Sequence, residues 1–207
     1  MITIRPAKLE EAPVVGSAVC MALLDHGIEH FVEETNRRRT EDPQSASLGT
    51  CTAEDVKALF GALAAREDSQ YSYRNALVAE DEQGRILGAI VGYDGALLEQ
   101  LRRVFVEESR RRLGVEFNPA DMGDETSPDE FYLDSLAVFP GSRGKGVGGK
   151  LLLALAERAH AAGKPAGLLC DKENVRAEAL YTRIGFRYVG DRPFAGMLMR
   201  HLQLPPK

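Results

Sequence analysis

A mixed α/β domain built on a central sheet is the fold class this sequence predicts, and three observations carry the prediction. Mid-chain, the apolar runs of "NALVAEDEQGRILGAIVGYDG" (75–95) flank a turn at Gly84, as in a hairpin. The last third alternates strand-like and helix-like segments from "FYLDSLAV" to "FAGMLMRHL". The 207 residues, 44% hydrophobic and 28% charged, suit one globular domain spanning 1–207 with a substantial core.

Taken in order, "ITIRPA" (2–7) alternates like a short strand, and "KLEEAPVVGSAVCMALL" (8–24) reads as a helix with acids and Pro13 in its first turn. Residues 31–52 are polar and poorly patterned, which predicts a connection before a second helix that Thr52 caps. After the hairpin, "LLEQLRRVFVEESRRRLG" (97–114) carries Leu97, Leu98, Leu101 and Phe105 on one stripe and arginines at a helix C-terminus. The stretch 116–130 holds Glu116, Asp121, Asp124, Glu125, Asp129 and Glu130 without a basic residue and reads as a solvated loop. Then follow a strand (131–138), a helix ending at Gly163, the apolar "AGLLC" of a buried parallel strand, a helix capped by Asn174 and stopped by Gly185, and two closing strands.

The net charge of −5 argues against nucleic acid as a partner. Cys20, Cys51 and Cys170 are scattered, odd in number and without C-x-x-C, so a reducing cytoplasm is expected rather than a disulfide framework. "MITIRPAKLEE" lacks the basic-then-apolar order of a signal peptide, and the apolar run 151–156 is too short for a bilayer, so no membrane partner is expected. His26 and His30 stand at i, i+4 with Glu33 and Glu34 nearby. Without H-E-x-x-H or a third ligand they read as a polar helix face, and no metal is expected. His160 and His201 read as surface or sheet-edge residues, and the arginine triplets 37–39 and 110–112 as solvated faces.

"GSRGKGVGGKLL" (141–152) satisfies three phosphate-binding patterns at once. Gly144, Gly146 and Gly149 fit the dinucleotide G-x-G-x-x-G, while Gly144, Gly149 and Lys150 fit the triphosphate G-x-x-x-x-G-K. Both demand a glycine close behind the strand, whereas Pro140 to Arg143 intervene. Leu151 also stands where a magnesium-binding Ser or Thr belongs, and the 36 residues after Asp171 are too few to finish a doubly wound sheet. On these grounds Lys150 should be an ordinary helix-surface lysine. The remaining pattern, R-x-x-G-x-G at Arg143, Gly146 and Gly148, puts cations at Arg143 and Lys145 beside glycines that admit a phosphate to the backbone.

"LDSLAVFPGSRGKGVGGKLL" together with "ENVRAEALYTRIGFRYVG" resembles the strand, pyrophosphate loop and following segment of the GNAT acetyltransferase superfamily, and "IRPA" and the hairpin match as well. The resemblance covers the chain apart from about 25–70 and 95–130. It implies a central sheet splayed between "SLAV" and "AGLLC" and flanked by helices, with helical insertions before the hairpin and before the central strand. It also implies acetyl-CoA as acyl donor. Its pantetheine arm would pair with Leu136, Ala137 and Val138 and touch Asn174, and its pyrophosphate would lie on Arg143, Gly144, Lys145, Gly146, Val147 and Gly148. Tyr181 matches the general acid, and the base, where there is one, stands at Tyr132 or Asp134.

An acceptor amine with pKa about 10.4 is mostly protonated at neutral pH, so freeing its lone pair costs about 4 kcal/mol. Asp134 is the candidate to take that proton, directly or through water, if burial raises its pKa from about 3.9. Alternation places it on one face with Tyr132 and Leu136, opposite Leu133 and Ser135. Its structural alternative is a hydrogen-bond acceptor or substrate anchor, and Glu130, Asp129 and Glu125 stand in reserve as bases. The expected reaction is direct attack of a primary amine in a ternary complex, the acceptor being a small molecule or a peptide and cationic if the acidic loop overhangs its site. A non-catalytic acyl-CoA-binding module is the alternative, and a homodimer is left open.

Overall fold

The computed structural model describes residues 1–42, 45 and 47–206, apart from the side chains of 24–26. The chain runs β1 (Thr3–Pro6), α1 (Ala12–Glu41), α2 (Ala53–Ala65), β2 (Ala76–Glu80), β3 (Ile86–Asp94), α3 (Leu98–Leu113), α4 (Pro119–Met122), β4 (Phe131–Val138), α5 (Val147–Ala161), β5 (Ala166–Cys170), α6 (Val175–Ile184), β6 (Arg187–Phe194) and β7 (Met197–Leu204). The strands make one seven-stranded sheet ordered β1-β2-β3-β4-β5-β7-β6, and the β4–β5 pairing is parallel. Val15, Phe60, Leu63, Val91, Phe105 and Ala137 fill the face that α1 to α3 cover. Leu133, Leu151, Leu155, Leu168 and Phe186 fill the other, under α5. Each Val, Leu or Phe among them stabilises by about 1.5–3 kcal/mol when fully buried. Among the described residues no helix is long and apolar enough to cross a membrane.

The segment expected as a connection is helical: α1 continues to Glu41. Its inward stripe passes from Ile28 and Phe31 to Thr35 and Arg39, both buried. Arg39 is tolerated because Nε donates to Leu113 O at 2.8 Å and Nη1 to Gly49 O at 2.8 Å, so the third arginine of 37–39 is not solvated. Outside, Arg37 and Arg38 pair with Glu34 at i, i+3 and i, i+4. Thr52 caps α2 reciprocally with Asp55, whose Oδ2 accepts from Thr52 N at 2.8 Å.

The acidic stretch is not a solvated loop either. Glu125 is buried with its carboxylate paired to Arg102 of α3, and its Oε1 accepts from Tyr93 Oη at 2.9 Å. Arg102 also donates to Asp124 Oδ1 at 3.0 Å. Glu130 is fully buried, accepting from Gln203 Nε2 at 2.8 Å and Thr126 Oγ1 at 2.9 Å, with His201 Nε2 at 2.8 Å. His201 is therefore a buried residue of β7, between β5 and β6, and not an edge residue.

The sheet splays as expected. β4 and β5 pair at Phe131↔Ala166 and Tyr132↔Gly167, while β4 runs on to Val138 and β5 to Cys170. Glu130 pins the closed end, where a Cβ on Gly167 would overlap its carboxylate.

Candidate active site

Where β4 crosses the splay its pairing with β3 slips. Gly92 faces Leu133 and Val91 faces Ser135, leaving Asp134 without a partner on β3. The bulge reverses the strand's alternation. Leu133 packs into the α5 core before it, and Leu136 and Val138 do so after it, while Tyr132 and Ala137 face the α1–α3 side. Asp134 therefore shares a face with Tyr132 but not with Leu136, and Ser135 sits beside it, its Oγ donating to Asp134 Oδ1 at 2.6 Å. The alternation expected from sequence fails here because one residue is extra.

Asp134 lines a cavity of about 620 Å³ together with Leu136, Ala137, Val138, Arg143, Gly148, Asn174 and Tyr181. Burial raises the Asp134 carboxyl to about 7, with the Glu125 charge adding to the rise and the Ser135 hydroxyl and Gln70 side chain opposing it. The Tyr132 phenol is pushed well up by burial and by Asp134, so it holds its proton at neutral pH. Tyr181, half-buried on α6, is also pushed up, by burial and then by Cys170. Asn174 caps α6, its Oδ1 accepting from Ala177 N at 3.1 Å, which leaves its amide nitrogen as a donor.

At the start of α5, Gly144 and Gly146 take φ of 77° and 76°, and Gly146 gives no side-chain cap. The first N–H groups of α5 have no side-chain acceptor at the cap, the arrangement that receives a phosphate. Gly148 packs closely enough that a Cβ would stand 3.4 Å from Val138 Cγ2. Arg143 Nε donates to Val138 O at 3.2 Å, holding the loop against the end of β4. Gly144, Lys145, Gly146 and Val147 lie outside the cavity lining: the first three are exposed, and Val147 is buried, so its part in binding is limited to its backbone. Lys150 is exposed on α5.

The reserve carboxylates are elsewhere. Glu130, held down to about 2 by His201 and Gln203 against the pull of burial, is committed to the closed end, and Asp129 is exposed. Neither they nor Glu125 line the cavity. Sequence reasoning missed the far wall, formed by Leu23 and Phe31 of α1, Tyr71, and Phe194, Met197 and Met199 of the closing hairpin. It also missed the bulge, whose signal was Gly92 inside a strand pattern: a Cβ there would stand 2.6 Å from both Tyr132 O and Leu155 Cδ2.

A mixed sheet that parts over a cavity, with an uncapped helix start at its edge, defines an acyltransferase-type α/β fold. The chain matches the Acetyltransferase (GNAT) family over residues 35–186 and belongs to it. A crystal structure of an acetyltransferase, 27% identical, superposes with a TM-score of 0.73 over 99% of this chain and 100% of that one. The N-acetyltransferase of Staphylococcus aureus Mu50 is 22% identical, with a TM-score of 0.73 over 98% and 100% of the two chains. The yncA protein of Salmonella typhimurium, solved with its cofactor acetyl-CoA, is 18% identical, with a TM-score of 0.52 over 100% and 95%. The last two share the fold.

Proposed function

We propose that the protein transfers an acetyl group from acetyl-CoA to a primary amine by direct attack in a ternary complex. The observation that carries this reading is that Asp134 of β4 and Tyr181 of α6 line one cavity inside the splay. Acetyl-CoA is the acyl donor and supplies an activated thioester. The backbone of Leu136, Ala137 and Val138, freed from β5 by the splay, holds the pantetheine arm, and the amide of Asn174 supports it. The backbone from Arg143 to Gly148, with the Arg143 and Lys145 cations, holds the pyrophosphate. A β4 N–H polarises the thioester oxygen.

Asp134, raised to about 7, is matched to accept the amine's proton near neutral pH, directly or through water. Tyr181, protonated throughout the working range, gives its proton to the departing thiolate. Three free, buried cysteines suit a reducing cytoplasm as the compartment.

Thiol release from acetyl-CoA over a panel of polyamines, amino acids, aminoglycosides and simple amines tests the reading, repeated with Tyr181→Phe. The variant should lose about 10²-fold or more in kcat. An unchanged kcat refutes the acid role. Stabilisation by acetyl-CoA with no thiol release from any amine would support the non-catalytic acyl-CoA-binding alternative.

A further inference from the structure

We propose that the acceptor is a small monoamine carried on an apolar body, aryl or branched alkyl, seated against the wall formed by α1, Tyr71 and the β6–β7 hairpin. The inference rests on the transferase reading and names the substrate class for that site.

The cavity has two differently furnished halves. On the α6 side are Asn174, Tyr181 and Asp171, whose Oδ1 is used by Glu173 N at 2.9 Å in the turn before the helix. On the other side Leu23, Phe31, Tyr71, Phe194, Met197 and Met199 present hydrocarbon, aromatic faces and thioethers. Among the described residues lining the cavity the carboxylates are Asp134 and Asp171, so this half offers one anion, Asp134. Among the described residues of its α1 wall the other titratable side chain is His30, which offers no negative charge.

One ammonium can therefore be met, and it is met at the group that takes its proton. A second ammonium would be stripped of water against Phe31 or Met199, with no further carboxylate in reach among the described lining residues. The acids nearest in sequence cannot supply one, because Asp124 and Glu125 are paired with Arg102 and Glu130 is bonded to His201 and Gln203. An apolar body instead replaces water on that wall, and the unbranched methionines can adapt to its outline.

Two further observations bound the acceptor. The wall is anchored: at the hairpin tip Ala195 N donates to Met122 O at 3.1 Å, which ties the hairpin to α4. The space is also shared, since the same cavity of about 620 Å³ contains the stretch of β4 assigned to the pantetheine arm. What is left suits a single ring or a short branched chain, not an aminoglycoside.

The test is the kcat/KM of thiol release at saturating acetyl-CoA for phenethylamine, isoamylamine, spermidine, kanamycin and serine. Phenethylamine and isoamylamine should exceed the other three by about 10- to 100-fold, the range set by burying one apolar group. Met197→Glu, at a hairpin-tip residue already 46% exposed, places a second carboxylate on the wall. It should raise the spermidine to phenethylamine ratio by about tenfold, and Met199→Glu repeats the measurement at the next inward position. Release confined to spermidine, kanamycin or serine overturns the substrate class and leaves the transferase standing. No release from any amine, with acetyl-CoA still raising the Tm, overturns the transferase reading and this class with it.

Discussion

Removing the Ser135 hydroxyl should move the acid limb of the pH profile upward. Ser135 Oγ donates to Asp134 Oδ1 at 2.6 Å, a bond that stabilises the charged carboxylate and holds its pKa below the value burial alone would set. A hydrogen bond to a charged group contributes about 1.5–3 kcal/mol, and about 1.36 kcal/mol corresponds to one pH unit. Ser135→Ala should therefore carry the Asp134 titration from about 7 to about 8 or higher. The base must be deprotonated to act, so the variant loses most at low pH. With those two values the loss is about eightfold near pH 6.5 and about 10% near pH 9. The assay is kcat/KM for the amine between about pH 6 and pH 9, read as the ratio of variant to parent at each pH. The ratio cancels the amine's own titration, which would otherwise dominate the profile. Ser135→Thr keeps the hydroxyl and should restore the parent's limb. A ratio that stays flat across the range would show that the acid limb does not belong to an Asp134 held by Ser135.

Asp134→Asn should lower kcat/KM by about 10²- to 10⁴-fold and at the same time stabilise the fold above neutral pH. The folded carboxyl titrates at about 7 and the unfolded one at 3.8, so the folded state holds the extra proton in between and stability falls as pH rises through that window. About three pH units at about 1.36 kcal/mol each give an upper bound of about 4 kcal/mol. Calorimetry should show the variant's Tm gain at pH 8 disappearing by about pH 4, and a gain independent of pH would contradict the burial argument. Arg102→Met leaves Glu125 buried without its cation and should cost about 3–5 kcal/mol in urea unfolding, most of it recovered by adding Glu125→Leu. If the double variant is no more stable than Arg102→Met, the pair is not the source of the loss.

The strands and the later helices were legible because their signals are local. A glycine turn in 81–85, the Asn174 cap and the Gly185 stop each act within a few residues, and all three appear where expected. What failed depended on distant partners. The second half of α1 was hidden because Thr35 and Arg39 occupy its inward stripe, and Arg39 becomes buriable only against carbonyls at Leu113 and Gly49. The acidic stretch looked solvated because its compensating cation, Arg102, stands more than twenty residues away on another helix. The site followed the same division. The glycine loop and Tyr181 lie in continuous motifs, whereas the apolar wall gathers α1, Tyr71 and the last hairpin from segments that carry no motif.

Asp134 joins the two cases, since the residue was singled out in sequence but its environment was not. Simple alternation would set Asp134 on the same side as Leu136 and put Ser135 across the strand from it, where the two could not bond. The extra residue opposite Gly92 instead delivers Asp134 and its Ser135 donor to one face while returning Leu136 and Val138 to the α5 core. A flush strand would force a choice between a packed core and a half-buried acid facing the cavity. The bulge permits both, at the position where the sheet has already parted from β5. Burial that lifts the carboxyl to about 7 costs stability above that pH, so a position optimised for the fold alone would not carry a carboxylate there. An acid standing there against that cost is the physical reason for proposing the proton transfer at Asp134.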